Sequence, residues 1–296
     1  MKPRRALTWA ILAALILIWG TTWAVIRIGL RGIPPVTGVA LRFAIASTVL
    51  LALVPALGLK LGRSPIERRL WLTNALLTFA IPYSVLYWAE QWVPSGLASV
   101  IFATFPLLTA LIAHFLLPEE RLTAGKMAGI LIGFAGIAVI FSEDFQALGG
   151  PQVLKAGALL LLSPLCASCG GVIVKRWGKG VHPLSISAVP MGITALLLGP
   201  IAWLLESTRE VTFDTPSVLA LLYLAIIGSA VPFTLYFWLL KHQNATSIAM
   251  INYATPVIAV AVGTLFLREP FTLRILAGVA LVVIGVAVAV RPKRAP

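Results

Sequence analysis

Shifted by 150 positions, residues 80–108, "AIPYSVLYWAEQWVPSGLASVIFATFPLL", fall on residues 230–258, "AVPFTLYFWLLKHQNATSIAMINYATPVI". Pro82 meets Pro232, Tyr83 meets Phe233, Tyr87 meets Phe237, Trp88 meets Trp238 and Pro106 meets Pro256. The register runs on to Glu119 and Glu269, and one deleted residue then brings Gly129 to Gly278 and Gly136 to Gly285. A shift of 148 places "AVIR" (24–27) on "VIVK" (172–175) and Pro35 on Pro183. The chain therefore reads as two copies of one unit, 1–148 and 149–296, and its fold must be one that two such units build together.

The solvent for these units is lipid. The chain is 59% hydrophobic and 11% charged, whereas a soluble domain carries roughly 25% charged residues. Stretches of about 20 apolar residues, enough to cross the hydrocarbon, fall near 6–27, 35–57, 70–89, 95–117, 124–141, 154–174, 183–205, 216–240, 245–267 and 272–290. The first of these continues to Ile26, longer than the apolar core of a signal peptide, and reads as an uncleaved span. Each unit holds five spans. Five is odd, so the second copy must enter the membrane in the opposite sense. The expected fold is an all-α integral membrane protein of ten transmembrane helices in two inverted-topology repeats, a construction used by secondary transporters.

Charge sets the expected orientation. With both termini in the cytoplasm, sixteen of the 23 Lys and Arg residues fall on the inner side, among them Arg63, Arg68, Arg69, Lys175, Arg176 and Lys179. Six fall outside (Arg27, Arg31, Lys155, Arg209, Arg268 and Arg274), and Arg42 lies within a span. This asymmetry follows the positive-inside rule. It also accounts for the net charge of +13 without nucleic acid, since no basic segment forms a groove-sized patch.

Arg42 stands about seven residues into the second span, roughly 10 Å from its start. A guanidinium there either snorkels to the headgroups or faces the bundle interior, where it would fix the outer gate or a substrate carboxylate. Its match in the second repeat is Pro190, so the halves differ at this point. The ten acidic residues all map to loops or span ends, and the expectation from this is that no buried carboxylate couples transport to protons. Aromatic faces suit zwitterionic or cationic cargo. The expected substrate-binding pool is Trp19, Trp23, Arg42, Tyr83, Tyr87, Trp88, Tyr236, Asn252 and Tyr253. The mid-span prolines Pro82, Pro106, Pro232 and Pro256 remove backbone hydrogen bonds at matched positions and are expected to mark gate hinges. Cys166 and Cys169 form one C-x-x-C pair inside a span, too few ligands for structural zinc. They read as packing residues, and no metal or cofactor is expected. Gly125, Gly129 and Gly133 make a small-residue face that either packs within the chain or joins two copies, so the chain is expected to be a monomer with a homodimer as the alternative.

The segments "WGTTWAVIRIGLRGIPPVTGVALRF" (19–43), "FPLLTALIAHFLLPEERLTAGKMAGILIGFAGIAVI" (105–140) and "TPVIAVAVGTLFLREPFTLRILAGVALVVIGVAV" (255–288) resemble the EamA-type exporters of the drug/metabolite transporter superfamily. The resemblance covers nearly the whole chain. It implies two EamA-like repeats in a bacterial inner membrane and efflux of small metabolites, amino acids or drugs; similarity to aromatic amino acid and methyl viologen exporters is suggested by the aromatic spans. Phosphorylated cargo, carried elsewhere in the superfamily, would need several core cations, and the spans offer only Arg42.

Together these readings define a transporter of neutral, zwitterionic or monocationic small molecules, with no enzymatic activity expected. A carrier for another metabolite class of the same superfamily is the nearer alternative. A membrane enzyme is the more distant one: it would show clustered acids, histidines or a G-x-S-x-G or H-E-x-x-H motif, none of which occurs.

Overall fold

The computed structural model describes residues 5–62, 64–141, 150–249, 251–269 and 272–290. Those residues form helices and loops only. Seven helices are long and apolar enough to cross a membrane: α1 (Arg5–Gly29), α2 (Pro35–Ala56), α3 (Pro65–Ala89), α4 (Ser95–Leu116), α6 (Pro151–Trp177), α7 (Pro183–Glu206) and α8 (Thr215–His242). Four further helices complete the described chain: α5 (Ala124–Phe141), the short α9 (Ala245–Ala249), α10 (Ile251–Leu267) and α11 (Leu273–Val290). Large apolar side chains, such as Phe115, Leu196 and Phe266, are more than 70% exposed. Soluble monomers rarely display apolar patches of that extent.

Helix starts follow local chemistry. Proline opens α2, α3 and α7, where its missing N–H costs nothing and its φ is already helical. Ser64 accepts the Glu67 N–H and Asp214 accepts the Ser217 N–H, which starts α3 and α8 a few residues ahead of their apolar runs. Two helices are interrupted at matched places. In α3, residues Ala75–Ala80 widen into a π-helical turn immediately before Pro82, and in α8 residues Ile226–Ala230 do the same before Pro232. A proline removes an intrahelical donor, and π turns, rare in general, occur mostly as single-turn bulges of this kind inside α-helices. α4 breaks at Ala103 and Thr104, just ahead of Pro106, whereas Pro256 lies inside α10.

Packing obeys the repeat. α2 lies along α7, its partner under the 148-residue shift, and α5 lies along α11. In the α5–α11 pair the glycine faces meet: a Cβ on Gly285 would strike the backbone of Gly129 and Gly133, and one on Gly136 the Gly278 carbonyl. α1 packs on α10, and the corresponding α6 packs on α4.

A cavity around Arg42

The centre of the bundle holds a cavity of about 70 Å³, far below the roughly 300 Å³ or more of a small-molecule pocket. Arg42 is its one charged lining residue and is only 1% exposed. It faces inward and does not snorkel. Nε donates to Ser229 Oγ at 2.7 Å, Nη2 to the Gly228 carbonyl at 3.0 Å and Nη1 to the Tyr87 hydroxyl at 3.2 Å. Gly228 and Ser229 belong to the π turn of α8, so the turn before Pro232 supplies acceptors for a guanidinium carried by the other repeat. The guanidinium carbon also lies 4.7 Å from the Tyr83 ring centroid, a cation–π arrangement. Among the described residues no carboxylate comes within ion-pair distance of Arg42. A guanidinium has five N–H groups, and the three bonds above leave part of the fork directed at its surroundings.

An aromatic wall surrounds this cation. Trp19 lies 5.5 Å from Phe233 and 5.7 Å from Tyr236, and Phe233 lies 4.8 Å from Phe79. The Trp19 indole N–H is buried with no partner among the described residues, a donor whose desolvation nothing there offsets. The cavity thus joins one uncompensated cation, one free donor and flat apolar faces. That combination can hold a carboxylate beside an apolar or aromatic group.

Of the residues expected from sequence, Trp19, Trp23, Arg42, Tyr83, Tyr236, Asn252 and Pro82 border the cavity. Tyr87 stands behind it and orients Arg42. Trp88 does not join them: it is 36% exposed and packs on Trp92 at 4.7 Å, one helical turn along on the apolar outer surface. The Tyr253 side chain lies outside the described residues. Pro106 and Pro232 sit at helix interruptions and Pro256 lies inside α10; none of the three is among the lining residues. Phe102, Phe105 and Phe233 line the cavity and were missed. For Phe233 a signal existed, because it is the repeat partner of Tyr83.

The acidic residues depart most from expectation. Their positions at loops and span ends suggested solvated groups, yet four of them are clasps that cross between repeats, three buried and Glu269 partly buried. At one end of the bundle Glu269 accepts the Ser95 and Gly96 N–H groups and the Ser95 hydroxyl, at 2.8–3.1 Å. At the other end Glu120 accepts the Ala245 and Thr246 N–H groups and the Thr246 hydroxyl, at 2.7–3.1 Å. These are the same contacts displaced by 150 positions. The counterpart of Glu269 is therefore Glu120, not Glu119, and the one-residue deletion falls before the glutamate. A second pair holds the starts of α2 and α7: Glu206 accepts the Val36 and Thr37 N–H groups, and Glu67 accepts the Ser185 hydroxyl. A helix N-terminus is a natural place for a carboxylate, since its first N–H groups have no helical acceptor.

Cations repeat in the same way. Arg27 Nη1 donates to the Glu90 and Val93 carbonyls at 2.6 and 3.0 Å. Lys175 Nζ donates to the Leu240 and Gln243 carbonyls, again 150 positions on, at 2.8 and 2.6 Å. Each cation ties down the C-terminal carbonyls of a span. Beside Arg27 opens a cavity of about 430 Å³, and beside Lys175 one of about 450 Å³.

A polytopic helical bundle with a buried arginine in an aromatic cavity and matched clasps at both ends has the build of a small-molecule carrier. The comparisons agree. The EamA-like transporter family matches residues 4–142 and 154–291, and the chain belongs to it. An uncharacterized transporter of Archaeoglobus fulgidus is 26% identical over 96% of this chain and 99% of its own length. The uncharacterized inner membrane transporter YedA of Escherichia coli K12 is 32% identical over 86% of this chain and 80% of its own. A probable amino-acid metabolite efflux pump of the same organism is 27% identical over 87% and 86%. A crystal structure with 24% sequence identity superposes with a TM-score of 0.74 over 97% of each chain, which establishes the shared fold. The protein is thus an integral membrane transporter of the EamA family.

Proposed function

We propose that the protein exports a small carboxylate-bearing metabolite, an amino acid with an apolar or aromatic side chain, across the bacterial inner membrane by alternating access. The observation that carries this reading is Arg42: a buried cation with no carboxylate in ion-pair range, bordering an aromatic cavity. The substrate carboxylate completes the guanidinium fork, and Trp19, Tyr83 and Tyr236 hold the side chain. A cationic drug would meet like charge here, which disfavours that cargo. The 27% identical amino-acid metabolite efflux pump supports the same class.

In this reading the two units are inverted repeats and both termini are cytoplasmic. The placement of clasps supports it: Glu206, at the last residue of α7, holds the start of α2, while Glu67, beyond the end of α2, meets the start of α7. Equivalent helices thus run antiparallel. The Arg27 end is then periplasmic and the Lys175 end cytoplasmic, with Pro82, Pro106, Pro232 and Pro256 at the points where helices flex. Each end opens by release of its own glutamate clasps while the other stays shut. Counterflow of radiolabelled phenylalanine, tryptophan and leucine in proteoliposomes tests the reading. Saturable exchange of at least one, lost in Arg42→Ala, is expected; absence of exchange for every amino acid tried would refute the substrate class.

A further inference from the structure

Among the described residues, Glu90 is the one buried acidic residue that the clasps leave unused. It ends α3 at the Arg27 end, is 0% exposed, and neither carboxylate oxygen has a hydrogen-bond partner among the described residues. Its backbone carbonyl, not its carboxylate, takes the Arg27 donor. An ionised carboxylate buried without hydrogen bonds is costly, and such a group instead takes up a proton. The repeat supplies a control. Leu240 occupies the corresponding place at the opposite end, is equally buried, and its carbonyl accepts Lys175 just as that of Glu90 accepts Arg27. The backbone geometry therefore needs no carboxylate there, and Glu90 is not explained by packing.

The charged and titratable groups around Glu90 are identifiable on every neighbouring element. Arg27 on α1, Arg31 in the turn after it, Gln91 beside Glu90 and Glu269 after α10 line the adjoining 430 Å³ cavity. Arg27 Nε lies 3.9 Å from the Glu269 carboxylate. Arg42 on α2 and Tyr87 on α3 lie on the side of the central cavity. Arg209 donates to Gln91, and Lys155 on α6 is exposed. Burial pushes the Glu90 carboxyl well above the usual carboxylate range; Arg27 opposes this, Glu269 reinforces it, and Arg42 opposes it more weakly.

We propose that Glu90 is a proton-binding site that links external pH to the closed state of the Arg27 end: the carboxyl carries a proton while that end is shut and loses it as the end opens. On opening, the Glu269 clasp parts and water enters beside Glu90. The O–H bond then breaks, its electron pair stays on the carboxylate oxygen, the proton passes to water, and Arg27 and Arg31 face the new anion. The sign follows from linkage. The closed state has the higher proton affinity, so its advantage is full at low pH and is lost as pH rises through the closed-state value. Between the open-state and closed-state values one proton changes the equilibrium about tenfold per pH unit. This inference rests on the alternating-access reading above.

Hydrogen–deuterium exchange of the full-length protein in lipid nanodiscs tests it. The Ser95 and Gly96 amides, held by Glu269, report opening at the Arg27 end; the Ala245 and Thr246 amides, held by Glu120, report the other end and normalise the chemical pH dependence of exchange. Normalised exchange of the first pair should rise with pH in the wild type, approaching tenfold per unit, and be flat in both Glu90→Gln and Glu90→Leu. The leucine variant installs the side chain its counterpart already carries, so a folding defect of the amide variant alone does not obscure the result. A flat wild type, or a slope that survives in both variants, overturns the proposal. Neither outcome bears on amino acid counterflow, which tests the transport reading separately.

Discussion

The two ends of the bundle carry the same hydrogen bonds on different side chains. Arg27 and Lys175 hold equivalent carbonyl pairs, and Glu269 and Glu120 hold equivalent helix starts, each displaced by about 150 residues. What survives the divergence of the repeats is the satisfaction of helix termini, which lipid makes obligatory. What differs is the charge placed beside those termini. The Arg27 end adds the unpaired Glu90 where the Lys175 end has Leu240, and the middle adds Arg42 where the other repeat has Pro190. On the reading proposed above, the shared bonds serve folding and gating, and the unshared charges serve cargo and proton linkage.

The largest effect expected from this division is at Arg42. Arg42→Ala removes three hydrogen bonds and, among the described residues, the one cation that lines the central cavity. Truncating a buried, hydrogen-bonded charge costs about 2–5 kcal/mol, so counterflow should fall by more than roughly tenfold. Arg42→Lys keeps the charge but not the planar fork and should fall in between. Membrane insertion, read by protein yield in the membrane fraction, should not change in either. Pro190→Ala, at the matched position, should leave cargo affinity intact; a loss there equal to that of Arg42→Ala would erase the distinction between the repeats.

The clasps come next. Glu269→Ala and Glu120→Ala each strand two backbone N–H groups and one hydroxyl. A buried unsatisfied group costs about 1–3 kcal/mol, so both variants should melt earlier in detergent. Their conformational effects should be opposite: exchange at Ser95 and Gly96 should rise in the first variant, and at Ala245 and Thr246 in the second. Equal loss of protection at both ends in either variant would show that the clasps support the whole fold without gating one end.

Much of this was legible in the chain. Apolar run lengths marked the helices, and the repeat register aligned the prolines, aromatics and glycines of the two units. Arg42 declared itself because a charge inside a span needs an interior reason. The clasps were not legible. Glu67, Glu120, Glu206 and Glu269 sit in loops or at span ends, and only the folding of one repeat against the other brings helix starts to them. The Glu119–Glu120 pair also hid its register, since a deletion on either side of one glutamate gives an equally good alignment. Trp88 misled for a related reason: its repeat partner Trp238 advertised importance, but both rings simply pack at a tilt against the ring four residues ahead, Trp92 in one case and His242 in the other. Periodicity identifies a shared face without saying whether lipid or cavity lies beyond it.

The smallest expected effect separates the two ends at one atom. Gly263 lies in α10, where replacing glycine by alanine ordinarily stabilises a helix by about 1 kcal/mol. Here an alanine Cβ would stand 2.6 Å from Glu269 Oε2 and 3.1 Å from Ser95 Oγ. The corresponding position in the other repeat, Ala113, already carries a Cβ, so the requirement for glycine is confined to the Arg27 end. Gly263→Ala should therefore lose its helical gain and push the carboxylate off Ser95. Faster exchange at Ser95 and Gly96, with no change at Ala245 and Thr246 and little net change in melting temperature, is the expected signature. A variant that melts later with unaltered exchange would mean that Glu269 has room to move, and that this end is held less tightly than its hydrogen bonds imply.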